Sequence, residues 1–480
     1  MAINTTARRS GLLRTAGAVS LAALLAGAAS LSAHAADLQV KAPAKASSSG
    51  DDLWTRDKLT GDWGGERKWL TDHGIDIGLT YIGEVFGVAG GFRQGVGYEH
   101  RFELDFDTDL GKLAGWDGAT THVSVYQIGE ANGLPQLSFT GSIADPSNIE
   151  ALPSTRLFTA WFQQNWFNDK VSLRVGQIAA DDEFFISPTA TNLVNSTFGW
   201  ATALASNQLQ GGPVYPLADP GVRLQVKPTD EITFLTAVFS GAPAGANCTM
   251  LPQQCNRYGL TFSLSGGALW IGEMQYGVNQ EKDAKGMPAL YKLGGWYETA
   301  DFPDIHLGVT ATGAPISLAS PLSVGPLNHH GNWGIYEVVD QMVWRAGKGP
   351  QSLNVFMRGA ASPADRNLVV GYLDGGLGLK APLPGRDDDV LTAAFALSTV
   401  SPEASALDFD TAIFTGAPFP VRDKEFLIDL DYSFQIAPWW TLQLDGQYIF
   451  HPGGNVPNPL NPAQTIPNAF VGFVRNTIKF

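Results

Sequence analysis

The chain has 480 residues, of which 46 are acidic and 31 are basic, and its net charge is −15 at pH 7. This excess of negative charge argues against nucleic acid as a partner, because nucleic-acid sites need a basic surface. Its 54 glycines, 26 phenylalanines and 13 tryptophans are typical of a chain with many short strands, tight turns and aromatic belts.

Residues 1–35 have the three parts of a secretory signal peptide. Arg8, Arg9 and Arg14 form the basic part, an apolar run covers 16–29, and small residues flank His34. We predict cleavage after Ala35, which would remove three arginines and no acid, and so lower the net charge from −15 to −18. The pair Arg8 and Arg9 leaves a twin-arginine signal as a minor alternative.

Residues 36–73 are predicted to form a polar leader on the periplasmic side of the domain that follows. The leader has a short predicted helix after Gly65, with Trp69 and Leu70 on one side. We interpret this helix as a cap on that domain.

Residues 74–480 show strand after strand with a period of two. In 425–436 apolar residues alternate with acidic ones, and 440–450 repeats the pattern with amides and one acid. No segment beyond residue 35 approaches the roughly 18 consecutive apolar residues of a spanning helix. We therefore predict an all-β fold, a transmembrane antiparallel β-barrel over 74–480, although a soluble sandwich also alternates.

The connections alternate between short and long, as in barrels with short periplasmic turns and long external loops. The short ones are predicted at 111–118, 167–170, 227–231, 265–268, 301–304, 346–350, 382–387 and 437–439. The long ones are predicted at 130–154, 180–219, 241–256, 279–288, 314–331, 401–422 and 451–467. This count gives up to about eighteen strands. Aromatic residues crowd the short side and predict an interfacial belt there: Trp116, Trp166, Phe167, Phe302, Trp344, Trp439 and Trp440.

Charged residues fall at the positions that alternation assigns to the inner face of the barrel. They are Arg101, Glu103, Asp105, Arg174, Arg223, Arg358, Asp429, Asp431 and Asp445. Two interpretations stay open: a role at a constriction in the lumen, or ion pairs that only stiffen the wall.

The longest predicted loop, 180–219, begins with Asp181, Asp182 and Glu183. It is longer than a hairpin needs, and long ordered loops are usually functional. We predict that it folds inward as a constriction, with its three acids as counter-charges to Arg174 and Arg223. An external flap is the alternative.

The two cysteines, Cys248 and Cys255, lie seven residues apart in a predicted external loop. In an exported chain such a pair predicts a disulfide, and two cysteines alone make a poor zinc site.

Phe480 ends the last alternating strand. A terminal strand with an aromatic end resembles the signal by which outer-membrane barrels are recognised, so we predict the barrel-assembly machinery as a partner.

Six segments in order carry a further resemblance: LTGDWGGER (59–67), SNIEA (147–151), LRVGQ with DDEF (173–184), YPLADPGVRL (215–224), GRDDDV (385–390) and QYIFHPGG (447–454). Together they resemble the carbohydrate-selective outer-membrane porins of the OprB family, over nearly all of the mature chain. The resemblance implies sixteen strands, and diffusion of glucose and similar sugars into the periplasm through a charged constriction. The cysteine loop is a departure from the family pattern, and it puts the external loops and the sugar preference in doubt.

Three functions therefore stay open: a sugar-selective porin, a general diffusion porin, and an outer-membrane enzyme or adhesin. The chain has no G-x-S-x-G, H-E-x-x-H or Walker motif, so we predict no catalysis, cofactor or metal. The predicted partners are sugars, outer-membrane lipid and lipopolysaccharide. The oligomeric state stays open.

Overall fold

The structure is a computed structural model that describes residues 52–281, 284–347 and 349–480. The predicted signal peptide and the first part of the predicted leader lie outside the described residues.

Sixteen antiparallel strands close into one barrel, which confirms the number that the family resemblance implies. In chain order they are β1 Ile75–Gly90, β2 Gly95–Asp109, β3 Ala119–Ala131, β4 Ser154–Trp166, β5 Val171–Ile178, β6 Asp219–Val226, β7 Ile232–Ser240, β8 Ala268–Val278, β9 Ala289–Val309, β10 Gly325–Arg345, β11 Ser352–Ala361, β12 Val369–Lys380, β13 Val390–Val400, β14 Lys424–Ala437, β15 Trp440–Phe450 and β16 Ala469–Lys479. The barrel closes where β16 pairs with β1, from Thr80 opposite Lys479 to Gly90 opposite Ala469.

Short elements decorate the connections. The strand Pro315–Ser317 pairs with β9, and Pro457–Asn458 pairs with Asn461–Thr465. The α-helices are Glu66–Asp72, Leu110–Ala114, Thr202–Ala205, Pro252–Cys255, Pro402–Thr415 and Pro452–Asn455. The 3-10 helices are Trp63–Gly65, Ala180–Asp182, Ala190–Asn192, Ser196–Phe198 and Leu209–Gly211, and Gln136–Thr140 is a π-helix. Among the described residues, none of the helices has the length and apolar character needed to cross a membrane.

The alternative count of eighteen strands is wrong at two places. Residues 289–309 form the single strand β9, without the predicted turn at 301–304. Pro303 suggested a break, but it lies beside a register shift between β9 and β10, where a strand tolerates proline. Residues 257–264 lie outside the barrel sheet, within the connection 241–267.

The seven connections that follow the even-numbered strands β2 to β14, together with the chain end, form one rim of the barrel, here called the turn rim. The eight connections that follow the odd-numbered strands form the loop rim. Residues 279–288, predicted as a long external loop, join β8 to β9 at the turn rim. Six of the predicted belt aromatics lie at or next to the turn rim, but Phe302 is buried in the half of β9 nearer the loop rim.

The barrel wall has its apolar residues outside and its charged residues inside. On β14, Ile428 and Leu430 are 47% and 54% exposed, whereas the alternate residues Asp429 and Asp431 are fully buried. A soluble sandwich would have the opposite arrangement, so the outer face is built for lipid.

The described part of the leader, 52–73, is attached to the end of the chain at the turn rim. The Leu59 N–H donates to the Lys479 carbonyl at 2.7 Å, and Arg67 Nη2 donates to a main-chain carboxylate oxygen of Phe480 at 3.1 Å. The predicted helix after Gly65 is Glu66–Asp72.

Candidate functional site

The connection between β5 and β6, residues 179–218, is here called L3, and it crosses the inside of the barrel. Its Ser187 and Thr189 donate to Asp340 of β10, at 2.6 and 2.9 Å. Further along, the Asn195 amide donates to Gln447 of β15 at 2.9 Å. L3 therefore lies in the lumen, as predicted, and the alternative of an external flap is wrong.

L3 fills one side of the lumen and buries Arg358 completely. The Arg358 guanidinium pairs with Asp374 and donates to three L3 carbonyls, of Thr197, Gly199 and Phe185, at 2.8, 3.0 and 3.1 Å. The prediction that Arg358 lines the channel is wrong, because the loop covers it. Arg358 instead anchors the loop to the wall.

The acidic patch on β14 and β15 lies under the same cover. Asp429 and Asp431 are fully buried and Asp445 is 8% exposed. The Gln443 amide donates at 2.8 Å both to Asp431 and to the carbonyl of Asn192 in L3. The prediction that these three acids line the channel is also wrong. L3 separates them from the open lumen, and so does Pro146 of the connection 132–153, whose carbonyl accepts a bond from Gln447.

On the other side of the lumen, Glu183 of L3 joins two arginines of the wall. Arg174 and Arg223 lie opposite each other on β5 and β6. Glu183 lies 2.9 Å from Arg174 Nη1 and 2.6 Å from Arg223 Nε, and it accepts a hydrogen bond from Arg223 Nη2 at 2.7 Å. Gln163 Oε1 accepts from both arginines, at 3.0 and 2.9 Å. The result is a connected cluster of donors and acceptors in which Arg174 and Glu183 stay partly exposed, whereas Arg223 is nearly buried.

Aromatic rings lie beside this cluster. The Arg174 guanidinium is 4.0 Å from the centroid of Trp161, and Trp161 stacks on His122 with centroids 5.0 Å apart. His122 in turn contacts Asp107 at 2.8 Å. Trp161, His122 and Gln163 are not among the residues predicted from the sequence, although alternation on β3 and β4 places them on the inner face.

Arg101 forms a second arginine–aromatic contact on the same side. It pairs with Glu103, and its guanidinium lies 4.5 Å from the centroid of Tyr215 and 4.9 Å from that of Tyr126. Asp105 shares the inner face of β2 and is partly exposed. Tyr215, at the end of L3, was also missed, because no periodicity marks a loop residue.

The two other acids at the start of L3 differ from Glu183. Asp181 accepts the backbone N–H of Tyr215 at 3.1 Å, and burial raises its pKa to about 6. Asp182 touches lumen water, but the narrow lumen surrounds it with protein. Desolvation and then repulsion from Asp181 raise its pKa to about 7, against the attraction of Arg174.

A disulfide joins Cys248 to Cys255 in the connection between β7 and β8, with Cα atoms 5.9 Å apart. In the described part of the chain, no group of three His, Cys, Asp or Glu side chains has an arrangement that could hold a metal ion.

A closed sixteen-stranded barrel with an apolar exterior and an inward loop facing arginines and aromatics defines an outer-membrane porin. Residues 93–480 match the model of the carbohydrate-selective porins, OprB family, and the chain belongs to this family. It is thus a carbohydrate porin of the outer membrane, and family and fold make it a channel rather than an enzyme.

Two relatives are similar over most of their length. Porin B of Pseudomonas aeruginosa is 24% identical over 423 residues, covering 82% of this chain and 87% of the relative. The putative porin QuiX of Acinetobacter baylyi is 23% identical over 432 residues, covering 84% and 91%. Among solved structures, the high-pH structure of Pseudomonas putida OprB has a TM-score of 0.78 at 22% identity, covering 90% of this chain and all of that one. This last likeness supports the fold.

Proposed function

We propose that the cluster of Arg174, Arg223 and Glu183, together with Trp161, is the constriction that selects sugars. The observation that carries the proposal is the Arg174 guanidinium lying 4.0 Å from the centroid of Trp161 while it pairs with Glu183. An aromatic face and a fork of donors and acceptors then meet at one place in the lumen. Sugars have the matching chemistry, since they combine apolar CH faces with neighbouring hydroxyls.

The same chemistry favours flux. A sugar that enters exchanges hydrogen bonds to water for bonds to the constriction, at a net gain of only about 1 kcal/mol per bond. Binding of this strength orients the solute and still permits release, which a selective channel requires. Glucose and similar sugars, moving from the loop rim outside the cell to the turn rim in the periplasm, are the substrates that we propose.

The test is planar-bilayer conductance of the whole protein, with sugars as blockers and amino acids of equal size for comparison. Trp161→Ala should weaken sugar block about three- to tenfold, because the stacking face is lost. Trp166→Ala is the matched control, since Trp166 ends the same strand at the turn rim and is 42% exposed. A wild-type protein that sugars and amino acids block equally would indicate a general diffusion porin instead.

A further inference from the structure

Three neighbouring strands of the barrel wall are short. β5, β6 and β7 contain 8, 8 and 9 residues, whereas β4 has 13 and β9 has 21. A tilted strand needs roughly 9–11 residues to span the hydrocarbon of a bilayer. β5 and β6 fall short of this length and β7 only just meets it, so the apolar belt has a gap at the loop rim beside β4.

A segment of the connection 241–267, here called L4, fills this gap. The Leu157 N–H, at the end of β4 that β5 does not reach, donates to the Tyr258 carbonyl at 3.0 Å. Arg156, also on β4, donates to the Asn256 carbonyl at 2.9 Å. The segment thus takes the place beside β4 that a longer β5 would occupy.

The segment passes on the outer side of the wall. Gln177 shares the outward face of β5 with Val175, which is 44% exposed, yet Gln177 is only 4% exposed. Its amide donates to the Gly259 carbonyl at 3.1 Å, so L4 covers it. From the inside, Gln210 of L3 packs against L4 through bonds to Ala244 and Gly245, at 2.7 and 2.9 Å.

The large exposed side chains of the segment are apolar, and they are every second residue of the sequence. Tyr258, Leu260, Phe262 and Leu264 are 58%, 60%, 47% and 83% exposed. The residues between them are Gly259, Thr261 and Ser263, and 258–266 contains no charged residue. This face continues the outer surface of β7 and β8, where Val238 and Trp270 are 48% and 47% exposed.

We propose that residues 258–264 are a lipid-binding surface that seats acyl chains of the external leaflet and completes the apolar belt above β5–β7. Continuity with the lipid-facing wall favours acyl chains over a second copy of the chain. The disulfide between Cys248 and Cys255 closes the part of L4 just before the segment.

Photo-crosslinking in intact outer membranes tests this proposal. It introduces no cysteine that could exchange with the disulfide between Cys248 and Cys255. Benzoylphenylalanine in place of Phe262 should form chain–lipid adducts, at a yield within about twofold of the same probe in place of Val238. The probe in place of His330, whose side chain is 78% exposed at the loop rim, should form none. Chain–chain adducts at 262, or no adduct there, would overturn the proposal.

A glycine substitution tests whether docking of the segment creates the lipid surface. Gly259 has φ +68°, and a Cβ there would overlap the Leu157 carbonyl oxygen, so Gly259→Ala should undock the segment. Lipid adducts at 262 should then be lost while those at 238 persist. Gly245→Ala is the matched control, with φ +88° in the same loop but its nearest neighbour 3.7 Å away. If lipid adducts at 262 survived Gly259→Ala, lipid binding would not depend on contact of the segment with β4, and that part of the proposal would be overturned. If the variant failed to assemble, the adducts formed at 262 in the chain with Gly259 intact would decide whether the segment binds lipid.

Discussion

The two sides of the lumen contain the same kinds of residue and differ in what covers them. On β11–β15 the inner face carries Arg358, Asp374, Asp429, Asp431 and Asp445, and all five are buried, for the most part under L3. On β2–β6 the inner face also presents arginines and acids, and L3 contacts them through Glu183 and Tyr215. Arg101, Glu103, Asp105 and Arg174 nevertheless stay partly exposed there, although Arg223 is nearly buried. Inner-face position alone therefore does not make a residue part of the channel, because a loop can turn the same residue into an anchor.

The largest expected effect is on the buried side of the lumen, the inner face of β11–β15. Removal of Arg358 should loosen the contact between L3 and this part of the wall. Arg358→Ala leaves Asp374 buried without its cationic partner and frees three L3 carbonyls, which should cost about 3–5 kcal/mol. We expect a lower midpoint of heat-induced unfolding, measured by electrophoretic mobility, and a larger single-channel conductance as L3 loosens. Lys68→Ala, which breaks an exposed pair with Asp72, is the control and should change neither. Wild-type conductance in Arg358→Ala would contradict the anchoring role.

The next largest effect is expected on the open side of the lumen, the inner face of β2–β6. Replacing Arg174 or Arg223 by alanine should weaken sugar block about three- to tenfold, because the charged fork is lost. It should also shift ion selectivity towards cations, since Glu183 is then less neutralised. Reversal potentials in a salt gradient measure the shift, with Arg345→Ala at the turn rim as control. If block and selectivity were unchanged in both single variants, the constriction would have to be sought around Arg101.

A third and smaller effect should appear on titration of the open side. Because the pKa of Asp182 is raised to about 7, its carboxylate is charged at pH 8 and neutral well below pH 7. Preference for cations should therefore fall as the pH decreases through about 7, with Asp181 contributing a further step nearer pH 6. Asp182→Asn should remove the upper step and keep the lower one. A reversal potential that is constant from pH 8 to pH 5 would contradict this assignment.

The alternation of apolar and polar residues predicts the strands wherever one face meets lipid and the other meets polar groups. This gave the barrel, its inner-face residues and the short connections, apart from the strand β9 that Pro303 obscured. The connections predicted at 241–256 and 265–268 leave room for a strand between them, and the sequence of 258–264 alternates like one, although this segment lies outside the barrel sheet. Burial by L3 could not be predicted, since contacts such as Arg358 with the L3 carbonyls depend on where a forty-residue connection folds. Trp161 could have been found from alternation on β4, whereas Tyr215 could not.

The smallest expected effect completes the comparison between the two sides. Asp431→Asn keeps the size of the side chain and its bond with Gln443, which is 2.8 Å in the native structure. Because L3 separates Asp431 from the open lumen and Arg475 lies nearby on the same wall, the reversal potential should stay within about a few millivolts of the wild type. Asp182→Asn, measured at pH 8 in the same salt gradient, is the positive control and should shift it clearly. If Asp431→Asn shifted the potential as much as Asp182→Asn, ions would have to reach the buried side, and the division of the lumen into an anchoring side and a conducting side would fail.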